Sequence, residues 1–428
     1  MARLEPVSFI PHRSTLDLGR ILWTPVSHGR VINALPQIFW AGGSPWREAN
    51  LWLMEQAVRR DVDIKTVNAK ATSLHAYANW LEKSESKWWD FPVRKEDRCL
   101  VRYRGALLDA RDSSEIAPST ATQRMRVVVN FYRWLKATRL LSPEWPLWEE
   151  RTVGIHLTNP FGFERTLTVT TTDLSIPNRA RPGERLEDGL LPVSADDRNR
   201  ILTFAREHAS EELFLLLTAG FFTGMRLQTL ADLRIETLTS AVPDPADPKL
   251  YRLAVGPGAS PPVATKFGVS GQIWITESLL AELLDYAYGQ RRLLREAKAS
   301  GNNKNLLFLT RFGNPYAQRG SDKSIAINVE MHNFKKSAVR NGIATMRYFR
   351  FHQTRCTFAT ELASLAISIA GGIHAVAVIK DALLHKNEST ALKYIKFIEK
   401  TPIKKELANS FTRAFLGITS GIEETLDA

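Results

Sequence analysis

The sequence predicts a mainly α chain of two domains with a small antiparallel β-sheet in the second, and three observations carry that expectation. Apolar residues recur at helical spacing on both sides of a stretch rich in Pro, Gly, Asp and Arg over residues 171–195. β-prone runs gather between about 250 and 276. Ten of the eleven tryptophans precede residue 150, leaving Trp274 alone afterwards, so the two halves build their cores differently. At 428 residues and 44% hydrophobic content, the chain exceeds one ordinary domain of roughly 100–200 residues and is apolar enough to give each domain its own core.

Residues 1–45 hold Pro, Gly and single charges without steady periodicity and read as an extended arm or irregular leader. A helical domain follows over 46–170. ANLWLMEQAVRR sets Leu51, Leu53, Met54 and Val58 at helical spacing. TVNAKATSLHAYANWLEKS does the same with Val67, Leu74, Tyr77 and Leu81, with Thr66 and Asn68 as start signals. STATQRMRVVVNFYRWLKATRLL opens on a Ser119 or Thr120 cap and carries Arg124, Arg126, Arg133 and Lys136 among its apolar positions. After the 171–195 linker, the second domain spans 196–428. Helices are expected at DDRNRILTFAREHA and EELFLLLTAGFF, then the runs YRLAV, PPVATKF and QIWIT with GVSG turning between the last two. Helices then return up to an acidic tail, EETLDA. There is no internal repeat.

Lys and Arg outnumber Asp and Glu by 57 to 45, a net charge of +12. The excess persists on both sides of residue 190, as 27 against 22 and 30 against 23, so it is no single basic tail. It points to a polyanionic partner. Two distant cysteines, Cys99 and Cys356, exclude a disulfide framework and a four-cysteine zinc site and fit a reducing cytoplasm. No stretch supplies 18 uncharged apolar residues, and the first twenty residues lack a signal-peptide core, so secretion and membrane spanning are not expected.

Four segments carry side chains suited to chemistry. In FFTGMRLQTLADLRIETL an apolar helix stops at Thr223-Gly224 and a second begins around Arg226. Free backbone N–H groups, the helix dipole and a bidentate guanidinium there all favour a phosphate oxygen. ATKFGVSGQIWIT would hold Lys266 at the tip of a hairpin. In FRFHQTRCTFATELASLA, His352 and Arg355 are three residues apart and share a helix face, with Phe358, Ala359 and Leu362 turned inward. In VIKDALLHKNESTALKYIKF, His385 and Tyr394 are nine residues apart, about 900° on an unbroken helix and so on opposite faces. A break capped by Asn387 would reunite them.

In this order, the segments TGMR, ATKFG, HQTRCTFATEL and LLHKNESTALKY resemble the four signature segments of the tyrosine recombinases, over about residues 190–400. The preceding helices are similar to that family's small core-binding domain. The resemblance implies an α+β catalytic domain behind a helical DNA-binding domain. It implies that Arg226 and Arg355 clamp a phosphodiester with His352 and His385, that Tyr394 attacks to form a 3'-phosphotyrosyl link, and that Lys266 protonates the departing 5'-hydroxyl. The covalent bond conserves phosphodiester energy, so neither cofactor, metal nor ATP is implied. Implied partners are double-stranded DNA, contacted by Arg124, Arg126, Arg133 and Lys136, and a homotetramer on two DNA sites, with an accessory recombinase or DNA-bending protein beside it. The residues after Tyr394, IKKELANSFTRAFLGI, would form a helix that docks on a neighbouring subunit or packs on its own domain. Integration, excision or transposition of a mobile element in a bacterial cytoplasm is the expected role. The chain departs from the family pattern at Thr229, usually acidic, at Leu384, usually Gly, and at Cys356, often His; the segment SLAISIAGGIHAVAVIKDA is also long. Two rival readings are a type IB topoisomerase-like enzyme and a catalytically silent DNA-binding homologue acting as an accessory protein. A metal site built on His352 and His385 lacks an accompanying carboxylate or cysteine cluster in the sequence.

Overall fold

The computed structural model describes residues 1–26, 31–59, 62–158, 164–178, 186–317 and 325–400; of 153–158, 164–169, 188, 325 and 373 it describes the backbone alone. The chain divides into two compact units, Met1–Pro182 and Gly183–Ala428. Helices dominate both, with small antiparallel sheets.

The first unit begins with four strands where an extended arm or irregular leader is expected: β1 (Arg3–Phe9), β2 (His12–Asp17), β3 (Arg20–Pro25) and β4 (Ile32–Phe39). β1 pairs with β4, and β2 with β3. Leu35 and Ile38 of β4 enter the main core, and Asn50 imitates a neighbouring strand by bonding both the N–H and the C=O of Ile38 at 2.7 and 3.0 Å. The prolines and single charges that hid the alternation lie mostly on exposed positions. Four helices follow, α1 (Arg47–Val58), α2 (Ile64–Lys83), α3 (Cys99–Asp112) and α4 (Pro118–Ala137). They enclose Trp46, Tyr77, Phe131 and Tyr132, with the Tyr77 and Tyr132 hydroxyls 2.8 Å apart. β5 (Glu150–Thr158) and β6 (Glu164–Thr172) pair antiparallel after the helices. Leu174 and Ile176, inside the stretch read as linker, are buried in this same core. Two apolar side chains among turn residues leave no periodic signal, yet each removes its surface from water.

The second unit runs α5 (Ala195–His208), α6 (Glu211–Thr223), α7 (Leu227–Ala231), α8 (Ile235–Thr239), β7 (Val242–Asp244), β8 (Asp247–Val255), β9 (Gly271–Thr276), α9 (Glu277–Tyr288), α10 (Gln290–Glu296), α11 (Ile325–Arg340) and α12 (His352–Ala382), with a last helix over residues 388–400. Ser194, Ser210 and Thr276 cap α5, α6 and α9 by accepting from the N–H three residues on. The sheet order is β7-β8-β9, antiparallel throughout. PPVATKF is not a strand: β9 pairs with YRLAV in β8, and the residues between form a long connection. Glu212 is fully buried in α6, where Arg291 and Arg295 meet its carboxylate at 2.8 and 2.9 Å and Tyr286 donates to it at 3.0 Å. The long segment before His385 is accommodated by α12, which breaks at Gly371 (φ 78°, ψ 165°), a conformation open to glycine alone.

Candidate active site

Gly224 closes α6 in the left-handed conformation (φ 66°), and a Cβ there would meet Phe358 and Leu383 at 2.5 and 2.7 Å. The chain can therefore reverse only at a glycine, and the reversal delivers Arg226 to the residue before α7. α7 has five residues, and Leu230 within it and Leu233 just beyond it are buried. Arg226 keeps 19% of its side chain exposed and pairs with Glu187 at 3.3 Å.

His352 and Arg355 occupy the first turn of α12 and face the same pocket. Arg355 is 2% exposed. Its Nη1 donates to the carbonyl of Gly224 at 2.8 Å and its Nη2 to that of Leu383 at 2.7 Å, so it ties the end of α6 to the end of α12. Burial is the largest influence on this guanidinium and lowers its pKa, with Glu187 opposing.

The chain turns at Leu384, which takes φ 51°, and sets buried His385 in the corner before the last helix. Residues 386–387 interrupt the helical course, and the next helix brings Tyr394 back over His385, the rings 6.1 Å apart and within 10° of parallel. The expected break thus reunites the pair. Tyr394 is fully buried in a small apolar cluster with Leu186, Cys356, Ala359 and Ile395. Burial, followed by the neighbouring Cys356 and Glu187, pushes its phenol well above the usual range, so it is held protonated. Burial also lowers the pKa of His385, with the Glu187 hydrogen bond acting against that.

Lys266 sits exposed in a short turn (Lys266–Gly268) of the β8–β9 connection, its Nζ 5.4 Å from the ring of Phe267. It lines one small cleft with Arg226, Thr229, Arg355 and Leu384. In the first unit, Arg126, Arg133 and Lys136 are exposed on α4 while Arg124 is half-buried; Arg133 lies 5.8 Å from the ring of Trp148. IKKELANSFTRAFLGI lies outside the described residues.

Sequence reasoning missed Glu187. Its carboxylate is the meeting point of the pocket: Oε2 lies 3.3 Å from Arg226 Nη2, 3.2 Å from His352 Nε2 and 3.4 Å from Arg355 Nε, and Oε1 contacts His385 Nε2. Burial alone would raise its pKa, but hydrogen bonds from His352 and His385 and the charge of Arg355 hold it well below the usual carboxylate range. A glutamate amid Pro, Gly and Arg has no periodicity to mark it. Two arginines and two histidines collecting one carboxylate constitute an anion site.

No protein-family model and no curated protein matches the chain. Among solved structures it is similar to the Tn1549 transposon integrase in complex with a circular intermediate DNA, at 13% identity over 84% of this chain and 98% of that one, with a TM-score of 0.49. It is similar to a lambda integrase dimer bound to a COC' core site, at 13% identity over 82% and 94% with a TM-score of 0.47. It is also similar to the XerA recombinase, at 14% identity over 82% and 91% with a TM-score of 0.33. All three are tyrosine recombinases, the family that the four sequence segments resemble. Among the described residues no helix is long and apolar enough to cross a membrane.

Proposed function

We propose that the chain is a DNA strand transferase of the tyrosine-recombinase type, cleaving and rejoining DNA through a covalent 3'-phosphotyrosyl intermediate. One observation carries the reading: four donor side chains from three separated segments, Arg226, His352, Arg355 and His385, converge on one anionic group, with Tyr394 stacked on His385. A phosphodiester resists attack because its anionic oxygens repel the nucleophile, and cationic donors aimed at those oxygens stabilise the extra charge of the pentacoordinate transition state. In this scheme Arg226 and Arg355 hold the non-bridging oxygens and the histidines bond to the same phosphate or move protons. The Tyr394 oxygen forms the new P–O bond as its proton passes to a base, and the departing 5'-oxygen takes a proton from Lys266. Tyr394 must leave its apolar cluster to reach phosphorus. A metal at His352 and His385 is disfavoured, since two guanidinium groups beside them repel a cation.

The net charge of +12 suits a partner whose affinity rests on phosphate contacts. The first unit is assigned the role of core-binding domain, with Arg126, Arg133 and Lys136 on its DNA face and Arg124 beside them. Assembly as a tetramer on two sites and a role in moving a mobile element complete the proposal. The test is covalent trapping. Nicked duplexes tiled from DNA flanking the gene are incubated with the protein and resolved on a denaturing gel beside Tyr394→Phe. A protease-sensitive adduct lost in that variant, with DNA binding retained, is expected. Tight, salt-sensitive binding without any adduct would favour the silent DNA-binding homologue, and relaxed plasmid without recombinant products the topoisomerase-like enzyme.

A further inference from the structure

We propose that Glu187 is an intramolecular stand-in for the substrate phosphate: the turn Leu186–Leu190 seats its carboxylate in the anion site, so the free chain is closed to DNA until that turn leaves. The proposal rests on the reading above, in that the displaced anion is taken to be a phosphodiester.

Three observations support a latch over a permanent brace. First, the carboxylate contacts all four donors of the site at once, so a second anion would have to share them with it. Second, Arg355 does not need Glu187 for its position, because the carbonyls of Gly224 and Leu383 already fix both terminal nitrogens; only its Nε faces the carboxylate. Third, the segment is built as a small docking unit. Leu186 N–H donates to Leu190 O at 3.0 Å and Leu190 N–H to Glu187 O at 3.1 Å, with Gly189 at φ 73° closing the turn. Leu186, 4% exposed, and half-buried Leu190 both pack on the cluster that contains Tyr394. The chain beyond is pinned to α12 by Gln353 Nε2 donating to Leu191 O at 3.0 Å and by Val193 N–H donating to Thr357 Oγ1 at 2.9 Å. One segment therefore fills the anion site and covers the cluster of the attacking tyrosine, and it begins four residues after the first unit ends. Its withdrawal would free both together, which couples site opening to whatever draws the linker away. A carboxylate carries one negative charge on two oxygens, as a phosphodiester does on its two non-bridging oxygens, so the same donors serve either.

The test uses the full chain with Glu187→Gln, which preserves shape, and Glu187→Ala. Inorganic phosphate is titrated by calorimetry and by the ring signals of His352 and His385. Removing a competitor held at about millimolar effective concentration should tighten phosphate binding about tenfold or more in both variants. Adduct formation on the tiled nicked duplexes should rise in parallel. In the unaltered chain, phosphate at concentrations that shift the histidine signals should speed hydrogen exchange at the amides of Leu186 and Leu190. Phosphate affinity that is unchanged or weaker in folded variants, or turn amides that stay protected while phosphate binds, overturns the latch. Tighter phosphate binding with no adduct on any duplex keeps the latch and removes the strand-transfer reading.

Discussion

Replacing Gly224 with alanine probes how the reversal after α6 supports the anion site. The residue lies at φ 66°, where a side chain costs about 1–2 kcal/mol. The added Cβ would also lie 2.5 Å from Phe358 Cδ1 and 2.7 Å from Leu383 Cδ2, and overpacking of this kind costs about 1–3 kcal/mol. The two sum to about 2–5 kcal/mol, or roughly 2–4 °C of melting temperature per kcal/mol for a unit of this size. Gly342, at φ 81° with no atom within 4 Å of its virtual Cβ, supplies the control, since alanine there carries strain without the clash. Stiffening of the unfolded chain by alanine is common to both and cancels in their difference. Calorimetry of the full chain should therefore place Gly224→Ala below Gly342→Ala by about 1–3 kcal/mol. Because Arg355 Nη1 donates to the Gly224 carbonyl, the clash should also displace that guanidinium, and adduct formation should fall by more than the lost folded fraction explains. Equal melting of the two variants, or a Gly224→Ala protein that cleaves like the parent, would refute this account of the reversal.

Glu212→Ala should cost about 3–5 kcal/mol in denaturant unfolding, because it strands Arg295, which is 11% exposed, without its carboxylate. Glu212→Gln should cost less, since an amide oxygen still accepts from Tyr286 and Arg291. Acid should destabilise the second unit in a specific window. Glu187 and Glu212 are both held below their ordinary pKa of 4.5, so the unfolded chain binds protons first as pH falls. The stability they supply is present above pH 4.5 and is lost progressively below it. Melting followed from pH 6 to 3 should fall less steeply in Glu187→Gln and Glu212→Gln than in the parent.

Helices with a clean apolar stripe, such as α2 and α4, were readable from spacing alone, and so was the break that sets Tyr394 beside His385. Their cores face one way, and a 3.6-residue period records it. The amino-terminal strands were not readable. Charges and a proline lie at exposed positions of β1, β4 buries Leu35 and Pro36 side by side, and the pairing partner is more than twenty residues away, so no local window contains the pair. The ends of the linker failed for a related reason. Leu174 and Ile176 join the first core, and Leu186 a cluster of the second, as isolated apolar residues in a turn-rich composition. Glu187 owes its importance wholly to where the fold puts it. Five charged or polar groups that span almost two hundred positions of sequence meet there, and spacing carries no trace of that contact.

Leu384 shows how a side chain is accommodated at a left-handed bend. The residue retains the left-handed backbone, φ 51°, that glycine would adopt freely, so the bend before His385 is kept at a cost of about 1–2 kcal/mol. Room for its side chain comes from the facing strand: a Cβ on Gly271 of β9 would lie 2.3 Å from Leu384 Cδ2. The absence of a side chain at Gly271 is what makes the leucine fit. Gly271→Ala should accordingly be destabilising by about 1–3 kcal/mol in the parent and close to neutral once Leu384 is glycine. Leu384→Gly should also be more stable than Leu384→Ala, reversing the order found at ordinary positions, because both lose the same packing and only alanine keeps the strain. The four proteins of the Gly271→Ala, Leu384→Gly cycle, melted side by side, should give a coupling of at least about 1 kcal/mol. Additive effects would mean that the two residues do not share this space, and that the bend at His385 is supported from elsewhere.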